Sequence, residues 1–366
     1  MSEHAVLPET RPYPQQPVKN ELLVHAARIA EAGEGNARAS AQMLAEQIGM
    51  MLRQNHYLGL SVALSMAPDA AHYAALYRAL DSVLRAQNDE EIQWFALPVV
   101  LVAGCKRKID LSLDCRAAAL SAVLENYPHT RALSHMNAVW LPKLVRASDL
   151  AAVNAGEWFS AKQNDEAAAV LAEKLCGADT LVIDPEQSVH VLFAVGYGKA
   201  ALGEALGKNL QEAALPLMQA WQQALAADGL TLFANPLSAD TPTNALNTGN
   251  HMRLRMALDV FAANAIRAVR LQSPRVGVVV AAQEGGRLLF GFNAAESHYT
   301  LAPQVFSWPL SPMERIETVQ RDFLDLMAEC QVDNVRLLAD ALPENAALPD
   351  FAEALQMKGS NPLLAV

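Results

Sequence analysis

Apolar residues return every three or four positions from Lys19 to Leu64, first as Leu22, Leu23, Ala26 and Ile29, then as Met43, Leu44, Ile48, Met51 and Leu52. At about 3.6 residues per turn this spacing keeps one face apolar and predicts helices, with Gly33 and Gly35 dividing them. Pro68-Asp69 opens another predicted helix, running past Tyr73, Leu76, Leu80 and Leu84 to Arg85. The pattern then changes. WFALPVVLVA at 94–103 is apolar throughout. It is about half the roughly 20 residues of a membrane span and rich in β-branched valine, so it predicts a buried strand over 92–103. Asp114 is placed to cap a helix over CRAAALSAVLEN that Pro128 stops, and a helix over 163–176 ends at Gly177. Between them 129–160 is mixed, with Trp140 and Trp158 as packing anchors.

The second half alternates strand and helix. TLVID and SVHVLFAVG flank a turn at Pro185-Glu186 and read as a hairpin, followed by a helix to Ala227 and the strand LTLFA. RVGVVVAA and RLLFGFN read as a second hairpin, with Gly285 and Gly286 supplying positive φ, then a helix from Ser311-Pro312 and the strand NVRLLA. The two blocks share this order, and Asp228 and Asp333 fall in matching places at their helix-to-strand joins. The expected fold class is helix-rich α/β (α+β): a helical N-terminal part and a mixed sheet in the C-terminal half with two related ββαβ units. A proline-rich tail is expected at 1–18, a helix-rich domain with one buried strand at 19–160, and an α/β domain at 161–366.

Composition narrows the class further. The chain has 366 residues, 52% hydrophobic and 18% charged, with a formal net charge of −11. Enough apolar material is present for a large core, and the acidic balance argues against a surface that coats nucleic acid. The N-terminus has no basic stretch followed by an apolar one, and the four cysteines form no C-x-x-C. These features predict a cytoplasmic, bacterial-type protein with no membrane insertion and no nucleic-acid partner.

Standard catalytic signatures fail on spacing. Gly196, Gly198 and Gly203 follow a strand, but the last gap is too long for a dinucleotide fingerprint, and Gly203 to Gly207 with Lys208 is too short for a P-loop. His129 and His135 are out of helical register, and His25, His56, His72 and His190 stand alone, so neither metal nor cofactor is expected. Cys105 has basic neighbours at Lys106, Arg107 and Lys108 but no partner histidine nearby in sequence.

One basic island remains, NTGNHMRLRMALDVFAANAIRAVR at 247–270. Leu254, Leu258, Phe261, Ala265 and Val269 share the buried face of a helix. Arg267 and Arg270 sit in its last turns, where cations complement the dipole. Asn250, His251, Arg253 and Arg255 are expected at its first turn, beside a polar loop over 235–249, and form the candidate anion-binding set. Two functions follow. The first is an interaction or assembly protein without catalytic activity, binding a protein partner or a second copy through the methionine- and alanine-rich helices at 37–85. The alternative is an enzyme or sensor that binds a small phosphorylated or carboxylated ligand at 235–255.

Overall fold

The computed structural model of the chain describes residues 21–31, 34–85, 90–114, 139–199, 214–227, 229–296 and 303–363. The tail at 1–18, the helix after Asp114, His129, His135, the glycine-rich stretch 200–208 and Asp228 lie outside them. The helical spacing at the start becomes α1 (Glu21–Glu31), α2 (Glu34–Arg53), α3 (Tyr57–Ser65) and α4 (Ala70–Leu84). Their inward faces bury Leu22, Ala26, Leu44, Ile48, Leu76 and Leu80. The chain leaves α2 through Asn55 at φ 59°, a left-handed conformation that asparagine tolerates. Asp69 Oδ1 accepts from the Ala71 and His72 N–H groups and so caps α4.

The next elements are β1 (Ile92–Cys105), β2 (Ile109–Ser112), β3 (Val139–Trp140), β4 (Val145–Arg146), α5 (Ala147–Ala151), α6 (Ala155–Gln163) and α7 (Asp165–Leu175). They are followed by β5 (Thr180–Ile183), β6 (Val189–Lys199), α8 (Ala214–Ala224) and β7 (Leu230–Pro236). β1 is central in the first sheet, antiparallel to β6 on one side and β7 on the other, and β3 and β4 pair with the far edge of β6. An unbroken apolar run needs cover on both faces. Trp94, Ala96 and Val100 face the helical layer, while Phe95, Leu97, Val99 and Leu101 face Trp221 and Leu225. This sheet draws β1 from before residue 160 and β6 and β7 from after it.

The hairpin expected around Pro185-Glu186 does not form. β5 pairs with β2, and β6 pairs with β1. β6 is buried along most of its length, so it takes the place beside β1, where eleven residue pairs join the two strands. Four pairs join β5 to β2.

The second sheet holds the hairpin β8 (Val276–Gln283) and β9 (Arg287–Ala294), with Gly285 and Gly286 at φ 85° and 73° in its turn. An additional strand, β10 (Gln304–Pro309), pairs with β9, and α10 (Ile316–Glu329) leads to β11 (Asn334–Leu338), parallel to β8. A short α11 (Phe351–Ala354) and β12 (Gly359–Ser360) finish the described chain. Helices first and sheets later make the mixed α/β class that the patterns predict. The shared order of the two blocks stops at their strand pairing.

One helix joins the two sheets. α9 (Pro242–Arg270) has 29 residues, capped by Thr241, whose hydroxyl oxygen accepts from the Asn244 N–H, with Pro242 in its first turn. The expected polar loop at 235–249 is therefore largely β7 and α9, and only 237–241 connect them. Proline at the first helical position and a threonine cap start the helix. Packing then overrides the weak helix propensity of its Asn, Thr and Gly residues. Gly249 lies so close to β6 that a Cβ there would meet Val191 and Phe193 at 3.0 Å. The first half of α9 packs Ala245, Met252 and Met256 on the first core, and the second half packs Leu258, Ala262, Ala265 and Val269 on the other sheet.

Candidate functional site

Asn250, His251, Arg253 and Arg255 are the ninth to fourteenth residues of α9 and do not form its N-terminal turn. The expected dipole-assisted anion site is thus misplaced, because the helix starts eight residues earlier than Asn250, at Pro242. His251 Nδ1 lies 2.6 Å from Glu314 Oε1, and its ring meets Trp308 edge-on. Burial pushes the Glu314 carboxyl up. Hydrogen bonds from His251, the Ser311 N–H and Trp308 Nε1–H overcome that and hold it below the usual glutamate range. Arg255 donates to Asp259 at 3.3 Å and approaches Asp322 of α10 at 3.9 Å. Arg270 donates to the carbonyls of Cys330 and Gln331, a helix-end role that needs no ligand.

Arg253 differs. It is half-buried, makes no ion pair among the described residues, and desolvation lowers its pKa from the arginine value. Burial also lowers the pKa of His190; the Gln187 carbonyl acts the other way and the Arg253 charge adds to the lowering. Asn250, three positions before Arg253 on α9, is half-buried as well.

At the true start of α9 stands a buried network absent from the sequence reading. Asp81 on α4 is 6% exposed and accepts from Arg85 Nε at 3.0 Å, Thr243 Oγ1 at 3.1 Å and Asn244 Nδ2 at 3.2 Å, and also from the Thr241 hydroxyl. Arg85 Nη2 also donates to Asp240 at 2.8 Å. Burial pushes the Tyr77 hydroxyl well up, against hydrogen bonds to Thr243 and Asn247. Both Asp81 oxygens are occupied from inside the chain, so the cluster braces α4 against α9. Its only sequence signal is the four-residue spacing of Asp81 and Arg85.

Among the described residues no group of three or more His, Cys, Asp or Glu side chains converges to hold a metal ion. Burial raises the thiols of Cys176 and Cys330, which makes them poorer nucleophiles. No helix among the described residues is long and apolar enough to cross a membrane.

An uncharged element that faces outward is α3, YLGLSVALS, which contains no ionisable side chain except the Tyr57 phenol. Leu60 and Ala63 are buried inward. Leu58, Val62 and Met66, four residues apart, are 78%, 38% and 51% exposed and form an outward ridge. Tyr57 at one end lines a groove of about 500 Å³ with Gly156, Glu157, Val170 and Lys174. The other end lines a groove of about 700 Å³, where Leu64 and Ser65 meet Asp69, Tyr73, Leu310 and Glu314. α3 is therefore a wall of both. Gly156 lets the Tyr57 ring rest on α6, since a Cβ there would lie 2.3 Å from it.

No family model, curated protein or solved structure matches this chain. Function is therefore argued from these side chains. The signal that marks α3 in the sequence is the absence of charge from Tyr57 to Pro68, within helices already expected to offer apolar surface.

Proposed function

We propose that this chain is an interaction or assembly protein of the cytosol, and that α3 is where another protein surface docks. The observation that carries this reading is the uncharged ridge of Leu58, Val62 and Met66 between two grooves. Ser61 and Ser65 beside the ridge are exposed too, their hydroxyls turned to carbonyls of the helix itself, and full cover of one apolar side chain of the ridge is worth about 1.5–3 kcal/mol. Methionine adapts to partner shapes, and Met43 and Met50 on α2 are exposed as well. Cys105, Cys176 and Cys330 are free thiols, in keeping with a reducing compartment. A photoreactive amino acid at position 62 in growing cells should form protein adducts well above one at exposed Asp325 on α10. Equal yields would refute the reading.

Arg253 supports a second reading, a small anionic ligand beside His190. Such a ligand would supply the counter-charge that the described residues do not. Inorganic phosphate should then raise the melting temperature of the wild type and leave Arg253→Ala unmoved; no shift in the wild type excludes phosphate as that ligand.

A further inference from the structure

The occupant of the α3 ridge follows from its symmetry and its flanks. Leu58, Val62 and Met66 form one i±4 row, the ridge that interdigitates with its like in the commonest class of helix packing. Val62 is the middle of the three. If two such ridges cross about a two-fold axis at Val62, Leu58 of each copy meets Met66 of the other. The contact is isologous and closes with two chains.

Charge points the same way. The chain carries a net −11, so two copies repel over most of their surfaces and least where charge is absent. The ridge itself has none. The nearest charged residues along the chain are of opposite sign: exposed Arg53, its guanidinium lying over Gly49 of α2, precedes α3, and exposed Asp69, in contact with His72, follows it. An antiparallel pairing sets the Arg53 end of one copy against the Asp69 end of the other, and the two helix dipoles also run antiparallel.

We infer that α3 is a homodimer interface with Val62 on the two-fold axis and Leu58 packed against Met66 across it. This rests on the reading of α3 as a docking surface and adds the identity of the partner. The contact is small, one short helix and the adjoining groove walls, so the dimer should dissociate on dilution through the micromolar range.

The test is sedimentation equilibrium of the purified full chain over a dilution series, with Val62→Glu and Arg53→Glu beside it. Circular dichroism confirms that each variant is folded, as expected for exposed positions. The inference expects twice the 39.5 kDa chain mass at high concentration, monomer for Val62→Glu, and a dissociation constant raised several-fold for Arg53→Glu. A dimer that survives Val62→Glu overturns it. So does a wild-type monomer at every concentration. In that case a position-62 adduct containing a different protein would keep α3 as a docking surface, and no adduct at all would remove both.

Discussion

Removing the Asp81 carboxylate is the sharpest test of how the helical layer is held to α9. In Asp81→Ala the hydroxyls of Thr241 and Thr243 and the amide of Asn244 lose a buried acceptor, and Arg85 keeps only Asp240. A buried donor left without its partner costs about 1–3 kcal/mol. Asn244 Nδ2 keeps a longer bond to Asp240 at 3.4 Å, and the two threonine hydroxyls lie 3.4 Å apart, so the loss falls at the low end, about 2 kcal/mol. The Arg85 guanidinium is half-exposed and can turn to water, so it adds little. Asp81→Asn keeps one carbonyl acceptor and the side-chain shape, and should lose about half as much. Urea unfolding followed by tryptophan fluorescence measures both, since Trp94, Trp158, Trp221 and Trp308 are all buried. A loss below about 1 kcal/mol for Asp81→Ala, or equal losses for the two variants, would show that the network does not brace α4 against α9 as described.

Glu314 contributes a pH dependence whose sign is fixed by its depressed pKa. Its contribution is present above the ordinary glutamate value of 4.5 and is lost as pH falls below it. Glu314→Gln should therefore flatten the fall in urea midpoint as the pH drops below about 5, and an unchanged slope there would remove His251–Glu314 from the acid response. Gly156→Ala forces a methyl into the Tyr57 ring and should cost about 1–3 kcal/mol. Adding Tyr57→Ala should relieve that clash, so that Gly156→Ala costs much less in the Tyr57→Ala background than in the wild type; a full cost in both would contradict the contact.

Local patterns made much of the architecture legible. The spacing of Leu76, Leu80 and Leu84, the Asp69 cap and the run at 94–103 specify α4 and β1 without help from distant residues. Gly285 and Gly286 did the same for the β8–β9 turn. What failed was decided by packing across the chain. β5 lost β6 as a partner because β1 offers a longer apolar ladder. The stretch from Pro242 to Gly249 reads as loop in its own residues, and becomes helix because Ala245 and Gly249 fit closely against the first sheet. That error moved the candidate site. His251 and Arg255 are tied to Glu314, Asp259 and Asp322, leaving Arg253 as the only one of the three cations without an ion pair among the described residues. The tie of Asp81 to α9 could not be found from sequence, since those partners lie about 160 positions away and only Arg85 is near. The α3 ridge could be, because what marks it is a missing charge, visible in its own nine residues.

The most direct measurement is a disulfide trap at the centre of the ridge. Val62→Cys in the purified chain, oxidised at high concentration, should give a covalent species of twice 39.5 kDa on a non-reducing gel, because Cβ atoms beside a two-fold axis come within disulfide reach. Asp325→Cys and the wild type, with its native cysteines, set the background. A Val62→Cys yield no greater than that background would contradict the α3 interface.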